Sequence, residues 1–477
     1  MTGAAETFSK AFAVRFKDLR LWSVGSFVRL GWQWPEEYIH PLSTALCRRI
    51  EAVDRRQYSI EDLLLVTLHF DGTMEPRSNR ENQKDFKGRL FFAFAGDVVY
   101  SKIDVRNGAI GIVPPEISRV AVSSEYPVYK VSLDTTLPSY IKLLFRTSYF
   151  RRALNSMISG ASGRKRVQPE QIEAVKVPLP PLPMQQAIVE RWEKVQKDIS
   201  ETWKRVEWLE EENVARFYSD LGIIQKDYGD RSKAFAVMWK DLGRWSVSFV
   251  GDMITGLGRL PLSLYPYSYL GELATVSYGI QKSPANRPGQ HPRPYLRVAN
   301  VRKGYLDLRE IKEINVPDAE MDTYRLEPGD ICVLPVSLRD ILFVEGNGSR
   351  SELGRVAIWN GEIPNCVHQN HLIKVRVNAS LLLSEFAMTW FNTDVGRVHF
   401  FRSAKTSSGL GTINSGEVRS APIPLPPIDV QRRIMGDVEK RRAEIAQEQK
   451  KAHHLAVAIE QEAEEMILGI RPVPGSV

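Results

Sequence analysis

Two groups of small, amide and basic side chains have the chemistry needed to contact DNA. Backbone NH groups beside glycine or serine can approach a phosphate closely, and arginine, asparagine and glutamine can read guanine or adenine through paired hydrogen bonds. Any one of these side chains could equally be an ordinary solvated residue, and Asn107-Gly108 also predicts a hairpin turn. The candidates are Lys102, Arg106, Asn107, Arg164, Lys165 and Arg166 in the first group, and Asn347, Ser349, Arg350, Gln369, Asn370, Lys405 and Ser407 in the second.

The sequence lacks the common catalytic and cofactor-binding motifs. It has no GxxxxGK[ST] phosphate loop, no glycine-rich strand–helix turn for a dinucleotide or S-adenosylmethionine, and no Asn/Asp-Pro-Pro-aromatic tetrapeptide of an amino-methyltransferase. Asp97, Glu125 and Lys130 follow the order of a nuclease site without its tight spacing. His368 and His371 could bind a metal, although a strand or turn with ordinary hydrogen bonds explains them as well. We therefore expect a chain that is not an enzyme and binds no cofactor or metal itself.

Composition indicates a multidomain protein of a reducing compartment. The 477 residues exceed one ordinary core, no apolar run could span a bilayer, and the N-terminus lacks a signal-peptide hydrophobic core. The three cysteines, Cys47, Cys332 and Cys366, show no CxxC spacing, which argues against a disulfide framework. We expect a cytoplasmic protein with no membrane partner, and the formal charge of +7 hints at a polyanionic one.

Two sequence repeats indicate that the chain is a duplicated unit. Pro178-Leu179-Pro180-Pro181 recurs as Pro424-Leu425-Pro426-Pro427, and a glutamine and an isoleucine follow at the same spacing in both copies. Ser9–Val24 recurs as Ser232–Val247 with 12 identities in 16 positions. Three prolines in four positions cannot lie inside a helix or a central strand. Each proline stretch therefore predicts a stiff junction at the end of a globular block.

A long charged helix is predicted after each junction. Apolar residues, with a few polar ones that a coiled-coil seam tolerates, recur in alternating steps of three and four from Ile188 to Leu209 and, less regularly, from Ile434 to Met466. This spacing is a heptad seam. Each helix could run for roughly 35 residues, or about 50 Å at ~1.5 Å per residue. The helices either pair with each other or fold back on their own blocks. Because both carry the same seam, we predict that they pair.

The globular blocks are predicted to mix strands and helices. In the first block, β-rich runs cover Phe91–Tyr100, Ala109–Val113 and Val120–Val131, and helical spacing covers Leu137–Leu154. The second block follows the same order, although the interiors barely match in sequence. Its predicted strands are Ile331–Val336, Gly354–Trp359 and Cys366–Val375, and its predicted helix is Leu381–Phe391.

The expected fold class is α/β (α+β), with two globular domains separated by two long helices that form an antiparallel coiled coil. The predicted boundaries are 1–178 and 231–424 for the domains and 179–230 and 425–477 for the helices. In chain order these four segments carry net charges of +7, −4, +5 and −1, so the positive charge lies in the domains. A spacer of about 50 Å spans on the order of 15 base pairs at ~3.4 Å each. If both domains bind one DNA duplex, we therefore expect them to contact two short half-sites that are separated by base pairs neither domain reads.

In these features the chain resembles the specificity (S) subunits of type I restriction–modification systems. The resemblance rests on the two proline junctions with their helices and on three segments, Gly96–Gly111, Gly346–Gly361 and Val367–His371. It covers nearly the whole chain. The chain departs from the family pattern at Ser23–Leu65, which aligns poorly with the corresponding stretch of the second block.

The resemblance implies that each domain is a target recognition domain reading one half of an asymmetric double-stranded DNA site. It also implies that the helices dock two methyltransferase (M) subunits, which hold S-adenosylmethionine, and that ATP-driven restriction (R) subunits join them. The chain itself would be non-catalytic. Two alternatives remain, namely a non-catalytic scaffold whose domains bind protein or peptide, and a self-contained enzyme with an unfamiliar site.

Overall fold

The computed structural model describes residues 32–77, 88–156, 166–224, 260–281, 289–333, 354–403, 405–407 and 410–475. The chain divides into two compact units, one comprising Met1–Lys204 and Gln449–Val477 and the other Arg205–Glu448. Within the described ranges, no helix is both long and apolar enough to cross a membrane. The predicted domain boundaries stay predictions.

Short strands make up much of the first unit. They are β1 (Ile39–Pro41), β2 (Leu46–Arg49), β3 (Val66–Leu68), β4 (Met74–Pro76), β5 (Leu90–Phe94), β6 (Val98–Tyr100), β7 (Ile110–Ile112), β8 (Arg119–Ser123), β9 (Val128–Val131) and β10 (Lys176–Pro178). An antiparallel sheet has the order β2-β9-β6-β7, and β1-β10, β3-β4 and β5-β8 form two-stranded ladders. Strands β5 to β9 overlap the β-rich runs predicted from Phe91 to Val131, but the single strand predicted at Val120–Val131 is wrong, because a turn at 124–126 divides it into β8 and β9.

The helices of the first unit are α1 (Pro138–Arg146), α2 (Ser148–Ser156), α3 (Pro169–Glu173) and α4 (Leu182–Asp220), whose residues divide between the units. The single helix predicted at Leu137–Leu154 is wrong in one respect, because Thr147 has extended backbone angles that end α1. Its hydroxyl donates to Leu144 O at 2.7 Å and accepts from Phe150 N at 3.2 Å. Such local side-chain bonds compete with helical ones, so the helix restarts as α2.

The second unit is also rich in short strands. They are β11 (Tyr267–Tyr269), β12 (Ala274–Tyr278), β13 (Pro292–Leu296), β14 (Lys312–Asn315), β15 (Ile331–Val333), β16 (Val356–Ile358), β17 (Val367–His368), β18 (Ile373–Val377), β19 (Lys405–Ser407), β20 (Leu410–Thr412) and β21 (Pro422–Pro424). The helices are α5 (Leu270–Leu273), α6 (Met321–Tyr324), α7 (Ser384–Phe391), α8 (Asp394–Ser403), α9 (Ser415–Arg419) and α10 (Ile428–Ile467), of which α10 divides between the units.

Each unit contains the same sheet. The order β12-β18-β15-β16 in the second unit corresponds strand by strand to β2-β9-β6-β7 in the first, and every neighbouring pair is antiparallel. The additional sheets differ, because the second unit has β14-β13-β17 where the first has β5-β8 and β3-β4. The single strand predicted at Cys366–Val375 is wrong, since a turn at 369–372 separates β17 from β18.

A buried aspartate follows a left-handed glycine at the start of the third strand of each shared sheet. Gly96 has φ 84° and precedes Asp97, and Gly329 has φ 91° and precedes Asp330. Both carboxylates accept a backbone hydrogen bond from the residue three positions earlier, at 2.9 Å and 2.8 Å. Arginine neutralises each of them, but it comes from the outer strand β2 in the first unit, as Arg49, and from β18 in the second.

The repeated glutamine of the proline junctions is completely buried and joins the first turn of a long helix to its domain. Gln185 Oε1 accepts from Leu137 N and Thr136 Oγ1, and Nε2 donates to Thr135 O and Pro180 O. Gln431 in the second junction accepts from Leu383 N and donates to the carbonyls of Leu381 and Pro426. Pro178 and Pro424 end two-stranded ladders, as the predicted extended junctions require.

The predicted seam residues of α4 and α10 are mostly buried, and they meet within each unit. In the first unit Val195 and Ile199 cluster with Ile459, and Arg191 pairs with Glu462 at 2.9 Å. In the second unit the equivalent contacts join earlier parts of α10 to later parts of α4. They are a cluster of Val206, Leu209 and Ile445, an Arg205–Glu444 ion pair at 3.2 Å, and a bond from Arg441 Nε to Asn213 Oδ1 at 2.8 Å.

Candidate nucleic-acid interface

The first group of candidates collects around the connection between β6 and β7. Lys102 is the second residue of this connection, and its carbonyl accepts a hydrogen bond from Val167 N at 2.8 Å, which brings Arg166 beside it. Arg166 Nε lies 2.9 Å from Glu125 Oε2, and Lys102 N donates to Glu125 O at 3.0 Å. The structure therefore brings Lys102 and Arg166 together at Glu125, through its backbone carbonyl and its carboxylate respectively. Arg164 and Lys165 lie outside the described residues.

The connection that carries Arg106 and Asn107 is longer than the predicted turn. Strands β6 and β7 do form a hairpin, but residues 101–109 join them and include a 3₁₀ turn, Val105–Asn107. Gly108 has φ 106°, and a Cβ there would lie 2.0 Å from Phe70 O, so glycine is required. This fixes the exposed Asn107 against the segment around Phe70. Arg106 Nε is buried and has no hydrogen-bond partner among the described residues.

The second group is only partly described. Gln369 and Asn370 occupy the turn between β17 and β18, where Gln369 N donates to Leu296 O and Asn370 N donates to Ile280 O. Asn370 Oδ1 is buried and finds no hydrogen-bond donor in the described ranges. Lys405 and Ser407 belong to β19, which pairs with β20. Asn347, Ser349 and Arg350 lie outside the described residues. The role of every candidate in DNA binding stays a prediction.

Three of the residues considered for catalysis or metal binding, Asp97, Glu125 and His368, form ion pairs or hydrogen bonds within the fold. Asp97 is buried against Arg49, and Glu125 is paired with Arg166. No group of three or more metal-ligating side chains occurs within the described ranges. His368 is buried and its Nδ1 donates to Tyr324 O at 3.0 Å, whereas His371 is exposed on the following turn.

Acid is expected to destabilise the second unit through His368. Burial lowers the pKa of His368 from its ordinary 6.5 to about 4. The unfolded chain therefore binds this proton more readily, so the contribution to stability is complete above pH 6.5 and is lost as the pH falls towards 4. The slope in this window is about 1.4 kcal/mol per pH unit. Urea unfolding between pH 7 and 5 measures it. His368→Asn should flatten the dependence and His371→Asn should not, and equal slopes in both variants would contradict this assignment.

A row of aromatic and arginine side chains on β5 and β8 was missed by the sequence reasoning. The Arg119 guanidinium lies over the rings of Tyr58 and Phe92, with its carbon 4.9 Å and 4.6 Å from their centroids. The Arg49 guanidinium lies 4.8 Å from the centroid of Phe94. The only sequence signal for this row was the aromatic alternation within β5, because its other members come from distant segments.

Comparisons with known proteins agree with this architecture. A family model for the type I restriction modification DNA specificity domain matches residues 73–207. The specificity subunit of type I restriction enzyme StySPI from Salmonella potsdam is 24% identical over 307 residues, which are 64% of this chain and 58% of that protein. The specificity subunit of type I restriction enzyme EcoKI from Escherichia coli (strain K12) is 22% identical over 302 residues, 63% of this chain and 58% of the relative. The match thus spans less than two thirds of either relative.

A solved structure also shares the fold. It belongs to a study of the structural basis underlying complex assembly and conformational transition of the type I R-M system. The TM-score is 0.56 at 13% identity, and the match covers 92% of this chain and 98% of the other. At this identity the likeness bears on the fold alone. The specificity-domain match at residues 73–207 and the two curated relatives show that this chain is similar to type I restriction–modification specificity subunits.

Proposed function

We propose that this chain is the DNA-recognition subunit of a type I restriction–modification enzyme and reads an asymmetric, bipartite target in double-stranded DNA. The observation that carries the proposal is the sheet order built twice in one chain, β2-β9-β6-β7 and β12-β18-β15-β16. One scaffold used twice with different added sheets is suited to two different half-sites. The specificity-domain match at residues 73–207 supports the proposal for the first unit.

The long helices are proposed to form an antiparallel coiled coil that separates the two domains. Support comes from the clusters and ion pairs between α4 and α10 within each unit, in which later residues of α4 meet earlier residues of α10. A helix of 39 residues, the length of α4, extends about 58 Å at ~1.5 Å per residue. This length corresponds to roughly 17 base pairs at ~3.4 Å each. An unread gap between the half-sites follows.

The chemistry is proposed to reside in partner subunits. Two M subunits would bind S-adenosylmethionine and methylate the DNA, and R subunits would use ATP, while this chain supplies sequence recognition and docking surfaces without catalysis. The names of the curated relatives support this division, because both are specificity subunits of restriction enzymes.

The full-length chain with its methyltransferase partner is expected to protect one split DNA sequence from nuclease digestion. Binding should weaken steeply with salt, because phosphate contacts release counterions, with log K falling by about 0.9 per log unit of salt for each phosphate neutralised. Footprinting on genomic fragments and titrations at several salt concentrations measure both effects.

Matched duplexes provide the control for this experiment. One duplex has either half-site scrambled, and another has base pairs inserted into the unread gap. Both should bind much more weakly than the intact target, since a rigid spacer fixes the separation of the domains. Equal binding to all duplexes would overturn the proposal, and no binding to any duplex would favour the protein-interaction scaffold.

A further inference from the structure

Arg119 at the start of β8 packs its guanidinium against two neighbouring aromatic rings. Its carbon lies 4.9 Å from the centroid of Tyr58 and 4.6 Å from that of Phe92, and the two rings meet edge to face at 83°. Nη1 also lies 3.4 Å from the Tyr58 hydroxyl oxygen, to which it donates. Tyr58 and Phe92 themselves pack on a small apolar cluster, which includes the buried Val53 and Leu63. The orientation of the guanidinium plane is therefore fixed by packed side chains.

The neighbouring Arg49 shows what distinguishes Arg119. Arg49 stacks on Phe94, which lies opposite Arg119 in the β5–β8 ladder. It is, however, also paired with the buried Asp97, with Nε 2.7 Å from Oδ2 and Nη2 donating to Oδ1 at 3.2 Å. Arg119 has no carboxylate within ion-pair distance among the described residues. Arg49 is therefore neutralised within the fold, whereas the charge of Arg119 is available to a binding partner.

The chemistry of the stack selects the kind of partner. The two rings and the Tyr58 hydroxyl hold the guanidinium in place, and its NH groups that do not bond to Tyr58 match the O6 and N7 acceptors of guanine. A phosphate needs positive charge but not a fixed plane, whereas base readout needs both. We propose that Arg119 reads a guanine in the half-site bound by the first domain, with Tyr58 and Phe92 as positioning residues. This inference rests on the proposed function and names one of its specificity-determining residues.

The test uses the full-length chain with its methyltransferase partner and a pool of random-sequence duplex DNA. Wild-type protein and variants select from this pool at one salt concentration, and the bound DNA is sequenced. Arg119→Lys keeps the charge but loses the planar fork. It should relax the preference at one G·C pair by about ten- to a hundredfold and leave the other positions unchanged. Tyr58→Leu keeps the arginine but removes one ring, and should relax the same position more weakly.

Arg56→Lys is the matched control, because Arg56 is exposed in the loop that precedes Tyr58. It should select the wild-type sequence. Thermal unfolding of each variant confirms that the domain is folded, and if Arg119→Lys fails to fold, Tyr58→Leu carries the test.

The outcomes separate this inference from the proposed function. If wild-type protein selects no sequence, both proposals fail. If wild-type protein selects a split sequence and the folded Arg119→Lys variant selects the same one with equal preference, the guanine contact is overturned while the proposed function stands. A loss of affinity for all sequences in Arg119→Gln, with a shallower salt dependence and an unchanged preference, would assign Arg119 to a phosphate instead.

Discussion

Gln185→Glu is expected to lower the free energy of unfolding of the first unit by about 3–5 kcal/mol at neutral pH, because it buries a charge without a partner. Gln185 Nε2 donates to Thr135 O at 3.0 Å and to Pro180 O at 2.7 Å, and the side chain is completely buried. A carboxylate would place negative oxygen against both carbonyls. Calorimetry of the full chain should show the transition of this unit lowered by on the order of 10 °C, at about 2–4 °C per kcal/mol.

The penalty should shrink in acid, because a buried carboxyl group that takes up a proton is no longer charged. Gln186→Glu, the same substitution one position later, is the matched control. Gln186 is exposed and donates only to Glu190 in the next turn, so its replacement should cost no more than about 0.5 kcal/mol. Equal losses in the two variants would contradict the role assigned to Gln185.

The second junction offers an independent repetition of this experiment. Like Gln185, Gln431 donates from Nε2 to two backbone carbonyls, Leu381 O at 2.9 Å and Pro426 O at 2.8 Å. Gln431→Glu should therefore destabilise the second unit by a similar amount and leave the first transition in place. In both copies the repeated glutamine then stabilises the attachment of the long helix to its domain through buried hydrogen bonds, which explains its presence in both.

The sequence predicted the extended proline segment and the helix after it, but not the buried hydrogen bonds of the glutamine. Proline spacing is a local property and predicted an extended segment before a helix. The hydrogen-bond acceptors of Gln185 include a carbonyl 50 residues earlier in the chain, at Thr135. No periodicity reports such a contact. The repeat itself was the available signal, because a polar residue kept in both copies of a mostly apolar junction is suited to a buried hydrogen-bonded position.

Strands could be predicted where apolar alternation was strong, but the conformation of the connections between strands could not. The runs at Phe91–Tyr100 and Ala109–Val113 correspond to real strands, but the connection between them depends on the close approach of Gly108 to Phe70, far away in sequence. The same limit applies to the candidate site. Asn and Gly patterns drew attention to loops, whereas the stack around Arg119 is assembled from three separate segments and has no local pattern.

Arg376→Met is expected to lower the free energy of unfolding of the second unit by about 3 kcal/mol, the lower end of the cost of leaving a buried charge without its partner. Asp330 is 1% exposed, and Arg376 lies against both of its oxygens, with Nε 2.7 Å from Oδ1 and Nη2 2.8 Å from Oδ2. The hydrogen bond from Glu327 N, at 2.8 Å, remains in the variant and limits the loss. Urea unfolding at pH 7 measures the change.

A double-mutant cycle decides whether the loss comes from the ion pair. Asp330→Asn alone should cost less than Arg376→Met, because the half-exposed guanidinium keeps Glu327, whose Oε2 lies 3.1 Å from Nη1. The double variant buries no charge, so its loss should fall below the sum of the two single losses by at least 1 kcal/mol, within the range measured for contacting residues. Additive losses would show that Arg376 acts through packing alone. The same cycle with Arg49 and Asp97 tests the first unit, where the arginine comes from another strand. Coupling in both units would mean that the buried aspartate after glycine is the constant part of the shared sheet, and that either strand can supply its counter-charge.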